Sequence, residues 1–181
     1  MVPRYPRDVI WTAPGIDRNA APTVASEREI LQGWLDRHRA TLLWKCTGLS
    51  VDQLRLRSVP PSELSLLGLV RHMSEVERGW FRIAAAGMPL DYLYCAEDDP
   101  GGDFDHIGDA DPQAAFATFL AEVAAADSAV APLPLDHTFA FPVGGATYSL
   151  RWVYVHVIEE YARHNGHADL LRERIDGRTG D

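Results

Sequence analysis

The stretch VHVIEEYARHNGHADLLRERIDG, residues 155–177, places His156, Glu160, His164 and His167 at spacings of four, four and three. Imidazole nitrogen and carboxylate oxygen are both ligands for divalent transition metals. On a helix, at about 100° per residue, the four side chains stay within an arc of roughly 80°. Trp152, Val153, Val157, Tyr161, Ala168 and Leu171 surround that arc, so the polar row borders an apolar interior. Polar side chains beside an interior need partners, and a metal ion is one way to supply them.

Distance limits which of them can share an ion. With a rise of about 1.5 Å per residue, His156 and His164 lie roughly 12 Å apart along the axis and cannot both reach one metal. Residues four apart, separated by about 6 Å, can converge. The workable pairs are His156/Glu160 and Glu160/His164, with His164/His167 a poorer third. A mononuclear site needs a further ligand from another helix and, if catalytic, an open position. His72 is the natural candidate, because it shares the apolar side of an earlier helix. His38, between Arg37 and Arg39, reads as solvated, and His106 and His137 fall in loop-like segments. The bland alternative is a row of histidines satisfied by neighbouring carboxylates such as Glu159 and Glu173.

The elements that must position these residues read as helices. Ser26 with Glu29 makes a capping-box pattern at the start of a helix carrying Ile30, Leu31, Trp34, Leu35, Leu42 and Leu43, ended by Gly48. After SVPP, a second helix is expected from Ser62, with Leu66, Leu69, Val70, Met73, Val76, Trp80, Phe81 and Ile83 in helical period until Gly87 and Pro89. A third begins at Asp111 and Pro112. A fourth is capped by Ser149 and runs to about Ile175, with Gly177 beyond it. Between the third and fourth, PLPLDHTFAFPVGGATYS suggests short extended pieces around a Gly144-Gly145 turn. The expected architecture is all-α: a four-helix bundle over residues 24–181 with long crossover connections, preceded by an extended, Pro-rich arm over residues 1–23.

Two other features carry residue types capable of chemistry. In the acidic loop 96–111, Asp103, Asp105 and Gly108 match the first, third and sixth positions of a calcium loop. Ile107 and Ala114 stand where oxygen ligands belong, so a solvated cap or mouth-lining loop is the reading. Cys46, near a helix end with Lys45 as its evident activator, is read as a packing residue.

The chain has 181 residues, 46% of them hydrophobic, with a formal charge of −9. That length fits one domain with a real core. Without clustered positive charge, nucleic-acid and anionic-membrane surfaces are not expected. The N-terminus carries Pro and charge where a signal peptide has an apolar core, so a cytoplasmic protein is expected, with Cys46 and Cys95 reduced. A homodimer is an expectation from small bundles in general.

The words LLGLVRHMSEVERGWF and EEYARHNGHADLLRERIDG, with the four-helix layout, resemble the DinB-like superfamily. That group includes metal-dependent thiol S-transferases and mycothiol-dependent maleylpyruvate isomerases. The likeness covers nearly the whole chain after the arm. It implies one ligand on the second helix, corresponding to His72, and one before Asn165 and Gly166, corresponding to His164. Four residues before the latter, most of the superfamily has a third His where this chain has Glu160, a departure that resembles the isomerase branch. The implied ligands are therefore His72, Glu160 and His164, with His156 and His167 supporting them or facing substrate.

His, His and carboxylate suit zinc, and also nickel, iron(II) or manganese. The implied chemistry is S-transfer or isomerisation of a small electrophile with a low-molecular-weight thiol such as mycothiol. The metal would lower the thiol's pKa. Rival readings are metal-assisted hydrolysis with His156 or His167 as base, and a metal-binding or stress-associated protein without turnover. Arg82 or Arg151 could bind a carboxylate, and Trp80, Phe81, Tyr154 and Tyr161 could line a pocket, though each has a plainer structural role.

Overall fold

The computed structural model describes residues 10–12, 16, 18–141 and 144–180. The first long helix, α1 (Glu27–Cys46), begins where the Ser26 hydroxyl accepts from the Glu29 N–H while the Glu29 carboxylate accepts from the Ser26 N–H. Reciprocal bonding of this kind satisfies two of the donors that a helix start leaves unpaired. Gly48, at φ 79°, turns the chain after it. A short helix, α2 (Val51–Arg55), follows, capped in the same way by Ser50 and Gln53.

The second long helix starts at Leu66, the first residue of its apolar period, and not at the expected Ser62. α3 spans Leu66–Glu77, and its cap is Ser65, whose hydroxyl accepts from the Gly68 N–H, rather than Ser62. From Arg78 to Ala85 the same rod continues with π-helical winding. The acidic loop contains a single turn of helix, α4 (Gly102–Asp105). α5 (Pro112–Val130) opens as expected, with the Asp111 carboxylate accepting from the Gln113 N–H and Pro at the first turn. α6 (Leu150–Asp176) is capped by Ser149 and closed by Gly177 at φ 80°, a left-handed position that glycine adopts at low cost.

Short strands sit at the margins. β1 (Ile10–Trp11) pairs antiparallel with β2 (Leu49–Ser50), and β3 (Thr138–Ala140) with β4 (Thr147–Ser149). Gly144 and Gly145, both at positive φ, lie between the last two, where a turn is expected. Of the arm, residues 1–9, 13–15 and 17 lie outside the described residues. Its Trp11 stacks on Phe116 of α5 with ring centroids 3.6 Å apart.

The architecture is all-α. α1 packs along α6, α3 packs on α5, and α3 also meets α1 and α6. Leu35, Leu42, Met73, Phe119, Val157 and Tyr161 are wholly buried between them. One core therefore fixes α3 against α6, the two helices that carry the candidate ligands. Among the described residues, no helix is long and apolar enough to cross a membrane.

Candidate metal centre

α3 supplies His72, and α6 supplies Glu160 and His164 one turn apart. One donor atom from each of the three lies within 4.8 Å of the others. His164 Nε2 is 3.4 Å from Glu160 Oε2, and the rings of His72 and His164 meet edge to face with centroids 4.7 Å apart. Helical spacing left three pairings open. The Glu160/His164 pair has His72 of another helix as its third neighbour. The His156/Glu160 pair has Glu159 of its own helix, an exposed carboxylate that already accepts from Arg163. His167 meets His164 through their Nδ1 atoms, 3.3 Å apart.

Each ring is held by identifiable contacts. His72 Nδ1 is 2.8 Å from Asp103 Oδ2. A carboxylate there accepts the Nδ1 proton, which assigns the tautomer and leaves the Nε2 lone pair for the cluster. Asp103 is itself 4% exposed, and its other oxygen accepts from the Phe104 N–H. The Arg71 guanidinium donates to the carbonyls of Gly102 and Asp103, clamping the acidic loop onto α3. Within the loop, Gly102 lies close against the Tyr94 backbone, because a Cβ there would stand 2.1 Å from the Tyr94 carbonyl oxygen. His164 is nearly buried, and desolvation, with His72 adding to it, pushes its pKa down to about 4. At neutral pH its imidazole is the uncharged form that ligates metals.

Two imidazoles and one carboxylate from two packed helices fit a divalent transition metal. These residues could hold one. His72 and Asp103 also stand in the wall of an open cavity of about 760 Å³, whose other walls include Val76, Trp80, Tyr92, Cys95 and Phe141. Part of that wall is the acidic loop, through Ala96, Glu97 and Pro100, so the loop lines a mouth. A calcium role for it does not fit, since Asp103 is already bonded to His72 and to backbone.

The remaining candidates take plainer positions. Arg82 bonds Glu122 at 2.6 Å and Arg151 bonds Glu27 at 2.6 Å. Phe81, Tyr154 and Tyr161 are buried core, whereas Trp80 faces the cavity. His38 is half-buried rather than solvated: Asn165 of α6 donates to its carbonyl at 3.1 Å, and burial lowers its pKa. His106 pairs with Asp99 at 2.7 Å, and His137 Nε2 lies 3.2 Å from the Ala85 carbonyl.

Neither cysteine is poised as a nucleophile. Burial pushes the Cys46 thiol up to about 12. Burial first, then the negative charges of Asp103 and Glu75, push the Cys95 thiol up to about 11. Sequence reasoning missed Asp103 as the partner of His72 and Cys95 as a cavity residue. Both lie in an irregular loop where no period announces which side chains turn inward.

No curated protein matches the chain. A family model does: residues 30–177 match the mycothiol-S-transferase family. The match takes in His72, Glu160 and His164 together with the four long helical segments, except the first three residues of α1. The chain belongs to the mycothiol-S-transferase family, within the DinB-like superfamily.

Proposed function

We propose that the protein is a metal-dependent S-transferase that joins mycothiol, or a closely similar small thiol, to an electrophilic small molecule. Its fold is read as a DinB-like four-helix bundle of α1, α3 with its π-helical continuation, α5 and α6. The observation that carries the proposal is the convergence of His72, Glu160 and His164 at the edge of a large cavity in a member of this family. Zinc is the first choice of metal, and nickel, iron(II) and manganese match the same donors.

Bound there, the metal would lower the pKa of a thiol enough to present thiolate at neutral pH. The chain's residues do the rest by position. His72 and His164 would offer imidazole nitrogens and Glu160 a single carboxylate, a donor set that would leave a dication net positive charge toward a sulfur ligand. Asp103 holds the His72 ring in register, a contact whose loss commonly weakens metal binding. Val76, Trp80 and Phe141 line an apolar side of the cavity. The nucleophile belongs to the small thiol, consistent with the raised thiol pKa values of Cys46 and Cys95.

Cobalt-substituted protein tests the reading directly. Titration with mycothiol is expected to produce a sulfur-to-cobalt charge-transfer band that is absent with the S-methylated thiol. A cobalt spectrum indifferent to mycothiol and to other common low-molecular-weight thiols would sink it.

A further inference from the structure

The cavity beside the candidate centre is lined by side chains of one charge sign. Glu75, Glu97 and Asp103 stand in its described wall, and no Lys or Arg does. The guanidinium groups nearest in sequence are committed elsewhere. Arg71 donates to the Gly102 and Asp103 carbonyls, and Arg78 and Arg82 both bond Glu122, at 2.6 Å each. Glu75 is buried, and the N–H groups of Leu93, Tyr94 and Cys95 converge on its carboxylate. Three backbone donors hold the Glu75 carboxylate in place at the cavity wall.

The apolar part of the wall is aromatic and fixed. Trp80 meets Phe141 at 4.8 Å, Trp152 at 5.3 Å, Tyr148 at 5.7 Å and His156 at 4.6 Å between ring centroids. Surrounded in this way, its indole presents a preset face rather than a mobile one. It sits in the π-helical segment, a winding often found at functional sites. Fixed aromatic faces accept flat apolar groups by stacking and attract cations by their quadrupole.

Resting on the S-transferase reading above, we propose that the electrophile is an uncharged or cationic molecule with an aromatic or apolar body, and that carboxylates are discriminated against. A carboxylate entering this cavity meets like charges without a guanidinium to pair with, in surroundings drier than bulk water. Its one attractive partner would be the metal, where it would compete with the thiol instead of receiving it. Uncharged or cationic groups face no such penalty.

Binding of three unreactive, shape-matched ligands to the metal-loaded protein tests this without turnover: 4-phenylbutan-2-one, its para-carboxylate and its para-trimethylammonium analogue. Calorimetric titration is expected to show the neutral and cationic ligands binding about tenfold or more tighter than the carboxylate. Glu97→Lys, an exposed change at the rim, is expected to shrink that ratio, and Trp80→Phe to keep more affinity for the neutral ligand than Trp80→Ala. Equal or tighter binding of the carboxylate, or no binding of any of the three, would overturn the proposal. Cobalt spectra with mycothiol on the same samples separate the two readings. A thiol response with carboxylate preference refutes the electrophile class alone, and charge selectivity without a thiol response refutes the S-transferase reading alone.

Discussion

Two polar clusters lie inside this protein, and they are built in opposite ways. Between α1 and α3, the buried Arg39 guanidinium makes two bonds of 2.7 Å to the Glu77 carboxylate, which also accepts from the Tyr161 hydroxyl at 2.8 Å. Asp127 accepts from the other side of Arg39 at 3.0 Å. Donors there face acceptors, and the pair of opposite charges is mutually satisfied. Between α3 and α6, His72, Glu160 and His164 instead bring one metal-ligating atom each within 4.8 Å of the others. A cluster of matched donors and acceptors has no need of a ligand, whereas converging acceptors call for a cation or protons. The comparison separates a group that holds helices together from one that, on the proposed reading, binds a metal.

Breaking the first cluster is expected to cost the most stability. Glu77→Ala leaves the Arg39 charge in the interior with part of its partner set gone, and should lower unfolding stability by about 3–5 kcal/mol, measured by urea unfolding. Glu77→Gln keeps hydrogen-bond acceptance and is expected to cost less. A loss within error for Glu77→Ala would mean that Asp36 and Asp127 carry the guanidinium without help.

Breaking the second cluster should act on metal and leave the fold. His164→Ala is expected to remove most of the bound metal while the far-ultraviolet helical signal persists, because the core is apolar and shared by all the long helices. Collapse of that signal on chelation of the wild type would make the centre structural instead. A smaller effect is expected from Asp103→Asn, which keeps size but weakens the hold on His72. Competition with a chelating dye should show metal affinity reduced about 10–100-fold. The smallest is expected from His156→Ala, which should leave metal stoichiometry near that of the wild type, since His156 stacks on Trp152 with centroids 4.8 Å apart and lies outside the three-residue cluster.

How much of this was legible in the sequence depends on how local each cause is. Ser26, Asp111, Ser149 and Gly177 announce helix ends because caps are made within four residues of themselves. The His156–His167 row is legible for the same reason, since one helix fixes its geometry. The start of α3 is less legible, because Ser62 and Ser65 both follow the prolines and which hydroxyl caps depends on the turn before it. The π-helical winding at Arg78–Ala85 went unseen, because an extra residue in a turn barely alters an apolar pattern over eight residues.

Long-range pairing hid the rest. Arg37 and Arg39 flank His38 and suggest solvent, yet Arg39 is 4% exposed because Glu77, on another helix, meets it. The role of Asp103 depends on Arg71 clamping the loop and on the space that Gly102 leaves. Neither contact has a sequence period. On α6, spacing alone does not choose between His156/Glu160 and Glu160/His164, and the packing of α3 puts His72 beside the second pair.

Metal content of the untagged protein and of its His72→Ala, Glu160→Ala and His164→Ala variants tests the central claim most directly. One equivalent of a transition metal in the wild type, lost in all three variants while each stays helical, is the predicted result. No metal after reconstitution, or metal kept by the His164 variant and lost by His156→Ala, would contradict it.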